Sequence, residues 1–223
     1  MKSIDSIYYR DAGSIRTARG VSARARKAMY DLFISEFAPD HSVSILDIGV
    51  SEEDGLEANM LEQQYPWPGQ ITCAGLGDGA ALRSAFPKVS YVSISAGERL
   101  PFQDGQFDIV CSNAVLEHVG GPSERAFFLA EAQRVASSAF ITVPNGWFPI
   151  EHHTAVPLLH WNPKFFRFLL KRTRFSYWTT PRNVEFLSEA LLAKEWKGKK
   201  TLKICKTGMY LGPLSSNLAL IIR

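Results

Sequence analysis

Residues 95–119 read SAGERLPFQDGQFDIVCSNAVLEHV, and this stretch decides the predicted fold. Residues 107–111 form an apolar run that opens on Phe-Asp and is followed by Ser-Asn, as expected for a strand covered on both faces of a sheet. The carboxyl end of such a strand delivers polar side chains, here Glu117 and His118, to a crevice. In open α/β sheets that crevice is where ligands bind.

Similar apolar runs lie on both sides of this stretch and alternate with helical patterns. The predicted strands on its amino and carboxyl sides are residues 43–48, 71–76, 89–94 and 139–143. The predicted helices are residues 22–37, 57–65 and 80–86, a helix that begins near Ser123, and residues 165–170 and 181–192. Strand and helix in alternation predict a parallel sheet with helices on both faces. Two closing runs, residues 201–204 and 218–222, predict an antiparallel strand near one edge.

Length and composition predict one large α/β domain. The chain has 223 residues, with 46% hydrophobic and 21% charged residues, which is ordinary for a globular protein. No apolar run approaches the roughly 18 residues of a membrane span, so stable membrane insertion is not expected. The amino-terminal residues lack the pattern of a secretory signal, which predicts a cytoplasmic protein. No feature of the sequence indicates an oligomeric state.

Charge and cysteine usage favour ordinary structural roles. The formal net charge is +3, and its excess lies in residues 16–27 and 164–174. Such clusters can approach phosphate, acidic lipid or nucleic acid, but solvated helix faces have the same composition and are favoured here. Cys73, Cys111 and Cys205 lie far apart, which predicts reduced thiols rather than a disulfide or zinc framework.

Three motifs in one order carry a resemblance to a known family. They are Leu100-Pro101-Phe102, Phe107-Asp108, and the run from Asn113 to His118. Together they resemble the fourth-strand region of class I S-adenosylmethionine-dependent methyltransferases. The resemblance implies a Rossmann-like, doubly wound, mostly parallel seven-stranded sheet with S-adenosylmethionine as cofactor. It also implies a methyltransferase-like domain over residues 39–223, with residues 1–38 as an arm and helix that pack on it.

The resemblance also implies positions for the cofactor. Asp47 and Gly49 match the first two fixed positions of the turn after the first strand, whereas Ser51 and Glu53 stand where later glycines are common. Asp78 is the nearest carboxylate that could accept the ribose hydroxyls, although a helix cap explains it equally well. The full implied set of cofactor contacts is Asp47, Gly49, Ser51, Asp78, Gly97, Glu98, Asn113 and His118.

Two further positions depart from the family pattern. Gly75 stands about where the ribose carboxylate is usual, and Ala96 stands where an aspartate often binds adenine. Adenine recognition would then depend on the backbone of Gly97 and Glu98, with apolar cover from Leu100. These departures leave a second interpretation, in which the chain is a catalytically silent binding protein with the methyltransferase fold.

A second informative stretch, residues 142–163, follows the fifth predicted strand and reads TVPNGWFPIEHHTAVPLLHWNP. Rigid, aromatic and titratable residues together are typical of an acceptor pocket. The stretch resembles a P-N-x-W-F-P-x-E-x-H-T pattern, followed by H-W-x-P, of methyltransferases found with glycan biosynthesis. On that resemblance, the substrate-binding candidates are Asn145, Trp147, His160 and Trp161, and the catalytic candidates are His153, Glu151 and His118.

Each candidate in this stretch has an alternative explanation. The two tryptophans can be packing residues, and Glu151, His153 and His160 can form a structural hydrogen-bond network. Glutamate and histidine are also workable zinc or iron ligands, but Glu-x-His with the second histidine seven residues further on is not a recognised ligand spacing. No metal site is therefore predicted from the spacing of these residues.

The leading hypothesis is an S-adenosylmethionine-dependent methyltransferase that acts on a small-molecule, glycan or lipid-linked acceptor. A base is needed only when the acceptor is a hydroxyl, and His153 is favoured over His118 and Glu151 for that role. A nucleotide-dependent oxidoreductase is disfavoured because no G-x-G-x-x-G follows the first strand. Nucleic-acid methylation is disfavoured because the N-P-P-[YF]-like tetrad of amino-directed enzymes is absent.

Overall fold

In a computed structural model, the chain is described at residue 7 and over residues 16–51 and 59–223. Its centre is a seven-stranded sheet with strands β1 (Ile45–Ile48), β2 (Ile71–Gly75), β3 (Ser90–Ser93), β4 (Phe107–Asn113), β5 (Ala136–Pro144), β6 (Leu202–Leu211) and β7 (Leu214–Ile222). The order is β3-β2-β1-β4-β5-β7-β6. The first five strands are parallel, and β7 is antiparallel to both β5 and β6. This arrangement confirms the predicted fold, including the antiparallel strand near the edge.

Helices cover both faces of the sheet. They are α1 (Arg16–Phe37), α2 (Met60–Gln64), α3 (Ala80–Ala85), α4 (Pro122–Val135), α5 (Pro163–Leu170) and α6 (Glu189–Glu195). Within the described ranges, no helix is long and apolar enough to cross a membrane.

The first helix begins earlier than the sequence predicted. An irregular arm was expected through residue 21, yet α1 starts at Arg16. Arginine and alanine are good helix formers, so the cost of about 1 kcal/mol for Gly20 does not stop the helix. The remainder of the predicted arm, residues 1–6 and 8–15, lies outside the described part of the chain.

Two other predicted helices start later than expected. The helix predicted over residues 181–192 begins only at Glu189, where the side chain of Ser188 accepts a hydrogen bond from the amide of Leu191 at 3.3 Å. The helix predicted over residues 57–65 is seen from Met60, and residues 57–58 of that prediction lie outside the described residues. Local capping, which a periodic apolar pattern does not reveal, sets the first of these boundaries.

The sheet separates two apolar cores because successive side chains of each strand point to opposite faces. Ile109 and Cys111 of β4 join Phe33 of α1 in one core, while Val110 joins Leu129 of α4 in the other. Full burial of one such aliphatic or phenylalanine side chain stabilises the fold by about 1.5–3 kcal/mol. Packing on both faces leaves the carboxyl ends of the parallel strands as the open edge of the sheet.

Candidate functional site

A cleft opens at the carboxyl ends of β1, β4 and β5, next to α1. It encloses about 450 Å³ of empty space, part of it open to solvent. At its floor, the hydroxyl of Thr142 donates to Oδ1 of Asn113 at 2.6 Å. Its walls include Arg26, Met29, Tyr30, Phe33, Asp47 and Phe140.

The turn after β1 brings the backbone against β4. Gly49 has φ of +90°, and a Cβ atom there would lie 2.2 Å from Cγ2 of Val115. Only glycine therefore fits this conformation and this contact. Beyond it, the amide of Ser51 donates to Oδ1 of Asn59 at 2.9 Å, and Nδ2 of Asn59 donates back to the carbonyl of Ser51 at 2.7 Å. The sequence pattern had not indicated Asn59, and Glu53 lies outside the described residues.

Two carboxyl groups meet beneath the cleft. Burial, and then the nearby Glu62, raise the pKa of Asp47 well above its usual value. Burial also raises the pKa of Glu62, whose Oε1 accepts the Cys73 thiol at 3.1 Å. Oε2 of Glu62 has no hydrogen-bond partner. Like charges in a buried site disfavour double ionisation, so each carboxyl group makes it harder for the other to lose its proton.

At the end of β2, a tyrosine takes the space that the family pattern assigns to an acidic side chain. A Cβ atom on Gly75 would lie 2.8 Å from the hydroxyl oxygen of Tyr91. That hydroxyl donates to the carbonyl of Gly77 at 3.0 Å. The exposed Asp78 accepts the amide of Ala80 at 2.8 Å, which is the helix-start role given as its alternative explanation. Tyr91 had not been singled out, because strands commonly contain tyrosine.

The loop after β3 is exposed at its tip and anchored at its base. Gly97 has φ of +75°, and nothing lies within 4 Å of where its Cβ would be. Glu98 is also exposed. Farther on, the amide of Leu100 donates to Oε2 of Glu131 at 2.9 Å, and Arg134 donates to the carbonyl of Leu100 at 3.0 Å. These two residues of α4 therefore position the loop.

The residues of the cleft fit the amino-acid end of S-adenosylmethionine. Arg26 offers a cation for a carboxylate, and Asp47 offers a carboxyl group for an ammonium. Met29, Phe33 and Phe140 supply apolar walls for the aliphatic part. The exposed backbone at Gly97 leaves room for the other end of the ligand.

A cluster of glutamate and histidine side chains lies past the ends of β4 and β5. Nδ1 of His153 lies 2.7 Å from Oε1 of Glu151, and Oε2 of Glu151 accepts the amide and the hydroxyl of Thr154, both at 2.7 Å. Nε2 of His153 lies 3.3 Å from Nε2 of His118. The other ring nitrogen of His118 lies 2.6 Å from the carbonyl of Asn183. The structure thus brings all three predicted catalytic residues together.

Burial and mutual contact shift the titration of this cluster. Burial tends to raise the pKa of Glu151, but the charge and hydrogen bonds of His153, aided by Thr154, lower it to about 2. Burial tends to lower the pKa of His153, but the Glu151 carboxylate outweighs it, and the net shift is upward. Burial, and then His153, lower the pKa of His118 to about 3. The His118 imidazole is therefore neutral at physiological pH, with Nδ1–H donating to Asn183 and a lone pair on Nε2.

Glu117 and Trp178 complete the cluster, and the predicted site residues include neither. Glu117 is 1% exposed, and both of its carboxylate oxygens lack a hydrogen-bond partner. Burial raises the pKa of Glu117 to about 7. Trp178 is fully buried, with its ring centroid 4.5 Å from that of His153. Glu117 directly precedes His118 and could have been found from that adjacency, whereas no sequence pattern indicated Trp178.

The predicted substrate residues separate into buried and exposed groups. Asn145 is buried, donates to the carbonyl of Ser215 at 2.9 Å and accepts the amide of Trp147 at 3.0 Å. His160 is buried against Phe186, with ring centroids 5.4 Å apart. Trp147 and Trp161 are 54% and 42% exposed, and their ring centroids are 6.1 Å apart. The two exposed rings could contact a ligand, whereas the hydrogen bonds of Asn145 are internal.

Comparisons with known proteins show the fold and a similarity over residues 46–139. Residues 46–139 match the family model described as "Methyltransferase domain". No curated protein sequence matches the chain. A solved S-adenosylmethionine-dependent methyltransferase from Aquifex aeolicus is 12% identical, with a TM-score of 0.57, over 100% of this chain and 98% of that chain.

Two further solved structures are similar. A possible histamine N-methyltransferase from Thermotoga maritima is 15% identical, with a TM-score of 0.61, over 97% of this chain and 98% of that chain. A putative methyltransferase of Haloferax volcanii, solved with its Trm112 activator, is 10% identical, with a TM-score of 0.62, over 98% and 94% of the two chains. Residues 46–139 are therefore similar to a methyltransferase domain, and the chain has the fold of solved class I S-adenosylmethionine-dependent methyltransferases, which supports S-adenosylmethionine as the cofactor.

Proposed function

We propose that this chain transfers a methyl group from S-adenosylmethionine to a hydroxyl oxygen of a small-molecule, glycan or lipid-linked acceptor. The observation that carries the proposal is the contact between Nε2 of His153 and Nε2 of His118, 3.3 Å apart and backed by Glu151. A hydroxyl must lose its proton during methylation, whereas a neutral amine attacks with a free lone pair. Paired imidazoles at the ligand edge of the sheet suit the hydroxyl.

The chain contributes to this reaction chiefly by position. When bound, S-adenosylmethionine supplies a methyl group on a sulfonium. Arg26 and Asp47 hold its amino-acid end, and orientation of the two reactants is worth about 7–11 kcal/mol. The acceptor O–H bond breaks and its proton passes to the cluster of Glu151, His153 and His118. The oxygen would then bond to the methyl carbon as the sulfur–carbon bond breaks, which would leave S-adenosylhomocysteine as the second product.

The exposed tryptophan pair supports an acceptor with a sugar ring. Trp147 and Trp161 follow β5 in the same segment as Glu151 and His153. Both rings present an apolar face to solvent with a polar N–H at one end. A sugar has apolar C–H faces and polar edges, and stacking on such rings would orient one of its hydroxyls.

Calorimetric titration with S-adenosylhomocysteine tests the cofactor part of the proposal. Binding at micromolar ligand supports it. No binding at millimolar ligand overturns it and leaves the catalytically silent alternative, which the departures at Ser51, Gly75 and Ala96 permit.

Substitution of His153 tests the catalytic part. His153→Ala and the exposed control His41→Ala are compared for S-adenosylhomocysteine affinity and for its release from S-adenosylmethionine with a panel of sugars, phenols and glycolipids. We expect His153→Ala to keep cofactor affinity and to lose at least about 100-fold in turnover, while His41→Ala behaves as wild type. Unchanged turnover in His153→Ala removes this residue from the mechanism.

A further inference from the structure

We propose that Glu117, His118 and His153 bind one divalent transition-metal ion, of which zinc is the reference case. Each of these residues offers one ligand atom, and the three atoms lie within 4.8 Å of one another. The spacing argument made from sequence concerned a different set, Glu151, His153 and His160. The set brought together by the fold combines residues that are 35 positions apart in the chain.

The distances in the cluster suit tetrahedral coordination. Zinc–nitrogen bonds are about 2.0–2.1 Å long, so two nitrogen ligands in a tetrahedral site lie about 3.3–3.4 Å apart. The Nε2 atoms of His118 and His153 are 3.3 Å apart. Oε1 of Glu117 lies 3.8 Å from Nε2 of His118. Small side-chain adjustments are enough to bring all three atoms to bonding distance of one ion.

The hydrogen bonds around the two histidines have the pattern of metal ligands. A ligating histidine almost always donates its second ring N–H to a carboxylate or a backbone carbonyl. Nδ1 of His153 faces Glu151 at 2.7 Å, and Nδ1 of His118 faces the carbonyl of Asn183 at 2.6 Å. Both Nε2 atoms are thereby directed to the same point.

Glu117 supplies an independent observation. Its carboxylate is 1% exposed and neither oxygen has a hydrogen-bond partner. A buried carboxyl group without a partner is costly, by about 1–3 kcal/mol or more when charged. An ion between Glu117 and the two imidazoles would satisfy it. Two histidines and one carboxylate are the ligands of several catalytic zinc sites and of non-haem iron sites.

The site would keep one coordination position for a ligand. The side chain of His118 is 11% exposed, compared with 1% for Glu117 and 6% for His153. An acceptor would therefore approach on the side of His118. This inference rests on the proposed function and changes one step of it: with both Nε2 atoms bound to the ion, the imidazoles no longer accept the proton. The ion would polarise the acceptor hydroxyl and lower its pKa, and the proton would pass to water.

Metal affinity provides a test that does not depend on methyl transfer. The full chain is treated with a chelator, dialysed and titrated with Zn²⁺ by calorimetry, and Co²⁺ absorption reports the coordination geometry. We expect one equivalent of Zn²⁺ to bind. Glu117→Gln should lose at least about 10-fold in affinity and Glu151→Gln about 10- to 100-fold, whereas the exposed control Glu189→Gln should bind as wild type.

The outcomes separate this inference from the proposed function. Absence of stoichiometric binding of Zn²⁺, Mn²⁺ and Fe²⁺, or wild-type affinity in Glu117→Gln, overturns the metal site. If the chelated chain keeps full turnover while His153→Ala loses it, the catalytic role of the ion is overturned and the proposed function stands. If Zn²⁺ binds but S-adenosylhomocysteine does not, the proposed function fails and the metal site stands. Circular dichroism of each variant checks that it folds.

A different observation, the outer face of α5, carries a second inference: we propose that it contacts the surface of an anionic lipid bilayer. Phe166 and Leu170 of this helix are buried, yet Phe165, Phe168 and Leu169 on its other side are 51%, 65% and 50% exposed. Apolar side chains on the outer side of a surface helix, opposite its buried side, are normally covered by another apolar surface. Leu158 and Trp161, also exposed, extend the same apolar patch toward β5.

Charge indicates what covers this patch. Residues 152–184 contain no aspartate or glutamate, and their cations are Lys164, Arg167, Lys171, Arg172, Arg174 and Arg182. An apolar face with tryptophan and phenylalanine, bordered by lysine and arginine, is typical of helices that lie in the interface of anionic membranes. Because His160 of the neighbouring turn lines the same small cavity as Glu151 and His153, a lipid-linked acceptor would arrive next to the cluster.

Vesicle sedimentation tests the lipid surface without reference to activity. The full chain is mixed with phosphatidylcholine vesicles that contain about 30 mol% phosphatidylglycerol. This anionic lipid gives the vesicles a strong negative surface potential. We expect sedimentation that weakens in high salt, and at least about a 10-fold loss in the triple variant Phe165→Ser, Phe168→Ser, Leu169→Ser, since each exposed side chain buries apolar area. The surface variant Leu76→Ser, on the far side of the sheet edge, should bind as wild type.

Two results overturn the lipid surface. One is that the chain does not sediment with these vesicles. This result overturns the proposal also when the chain binds a single-stranded oligonucleotide instead. The other is equal sedimentation of the triple variant and wild type.

Discussion

The two halves of the open sheet edge are built differently. At the ends of β1, β2 and β3, the predicted cofactor residues are mostly exposed or in turns, and Gly49, Gly79 and Gly97 have positive φ. At the ends of β4 and β5, Glu117, Glu151 and His153 are each at most 4% exposed. Backbone shape therefore dominates the cofactor half, whereas the acceptor half depends on specific buried side chains.

This difference explains why departures from the family pattern are concentrated in the cofactor half. Backbone amides and a fitting cleft can hold a ligand with many different side chains nearby, and Tyr91 fills the space beside Gly75. A buried, charged side chain cannot be replaced in this way, because the groups that hydrogen-bond to it would be left unpaired. Substitutions in the cofactor half should consequently change stability and cofactor affinity, whereas substitutions in the acceptor half should change turnover.

The largest expected effect is that of Glu151→Gln. The variant keeps the shape of the side chain but removes the charge that His153 and Thr154 contact. Loss of a positioned acid–base group typically costs about 10²–10⁴-fold, so we expect at least about a 100-fold fall in turnover with S-adenosylhomocysteine affinity within about 2-fold of wild type. Glu189→Gln is the control. If Glu151→Gln lost S-adenosylhomocysteine affinity and turnover equally, the difference between the two halves would be contradicted.

Gly49→Ala, in the cofactor half, should lower stability and S-adenosylhomocysteine affinity, whereas Glu151→Gln lowers turnover and keeps that affinity. A Cβ in left-handed backbone costs about 1–2 kcal/mol, and its overlap with Val115 adds about 1–3 kcal/mol. Denaturant unfolding should show a loss of about 2–5 kcal/mol, with weaker S-adenosylhomocysteine binding.

Two variants separate the causes of the Gly49→Ala effect. Val115→Ala in the same chain should recover the part that comes from overlap. Gly97→Ala, which has positive φ but open space around Cβ, should lose only the backbone part. Full stability in Gly49→Ala would contradict the close contact between the turn after β1 and β4.

Stability should fall as pH rises because of the carboxyl pair beneath the cleft. The pKa values of Asp47 and Glu62 are both raised in the folded chain. Between an unfolded-state pKa of about 4 and those raised values, the folded chain binds more protons than the unfolded chain, so this contribution favours folding at low pH and is lost as pH rises.

Glu62→Gln should reduce that pH dependence. Glutamine retains an oxygen for the Cys73 thiol and carries no charge. Because the variant lacks this ionisable group, it should be more stable than wild type at pH 8 and should lose less stability between pH 5 and pH 8. Urea unfolding from pH 5 to pH 8 measures it, with Glu189→Gln as control. A parallel fall in variant and wild type would exclude Glu62 as the cause.

The smallest expected effect is that of Asp78→Asn. Asparagine can still accept the amide of Ala80, so the start of α3 is retained and thermal stability should not change. The family resemblance implies that this carboxylate accepts the ribose hydroxyls. Loss of its charge should then weaken S-adenosylhomocysteine binding by at least about 10-fold, since a hydrogen bond to a charged group is worth about 1.5–3 kcal/mol. Unchanged affinity in calorimetry would leave Asp78 with the helix-start role alone.

Elements of the fold were predictable where one local pattern dominates. The strands β1, β2, β4 and β5 correspond to short apolar runs bounded by turn residues. Such runs must be buried, so their positions follow from the local sequence pattern. Helix starts were less predictable. Nothing local distinguishes Arg16 from Ser22 as the first residue of α1, because both segments favour helix.

The candidate site was predictable only in part. The catalytic candidates His118, Glu151 and His153 could be chosen because they follow strand ends, and parallel strand ends meet at one edge. Their pairing could not be chosen, since five histidines and many carboxylates were available. Glu62 and Tyr91 were missed because single charged or aromatic residues within apolar patterns give no signal until their neighbours are known. Glu117 was expected at the crevice beside His118 but was not included among the site residues.

By itself, the sequence determined a doubly wound sheet, the order of its strands along the chain, and the stretch, residues 95–119, that resembles the methyltransferases. Those features depend on local periodicity and on which side chains avoid water. Only the tertiary structure decided that Nε2 of His118 lies 3.3 Å from Nε2 of His153, and that Glu117 is buried beside them without a hydrogen-bond partner. It also decided that Phe165, Phe168 and Leu169 are exposed on the outer face of α5. These are distances between segments far apart in the chain, and packing across the sheet sets them.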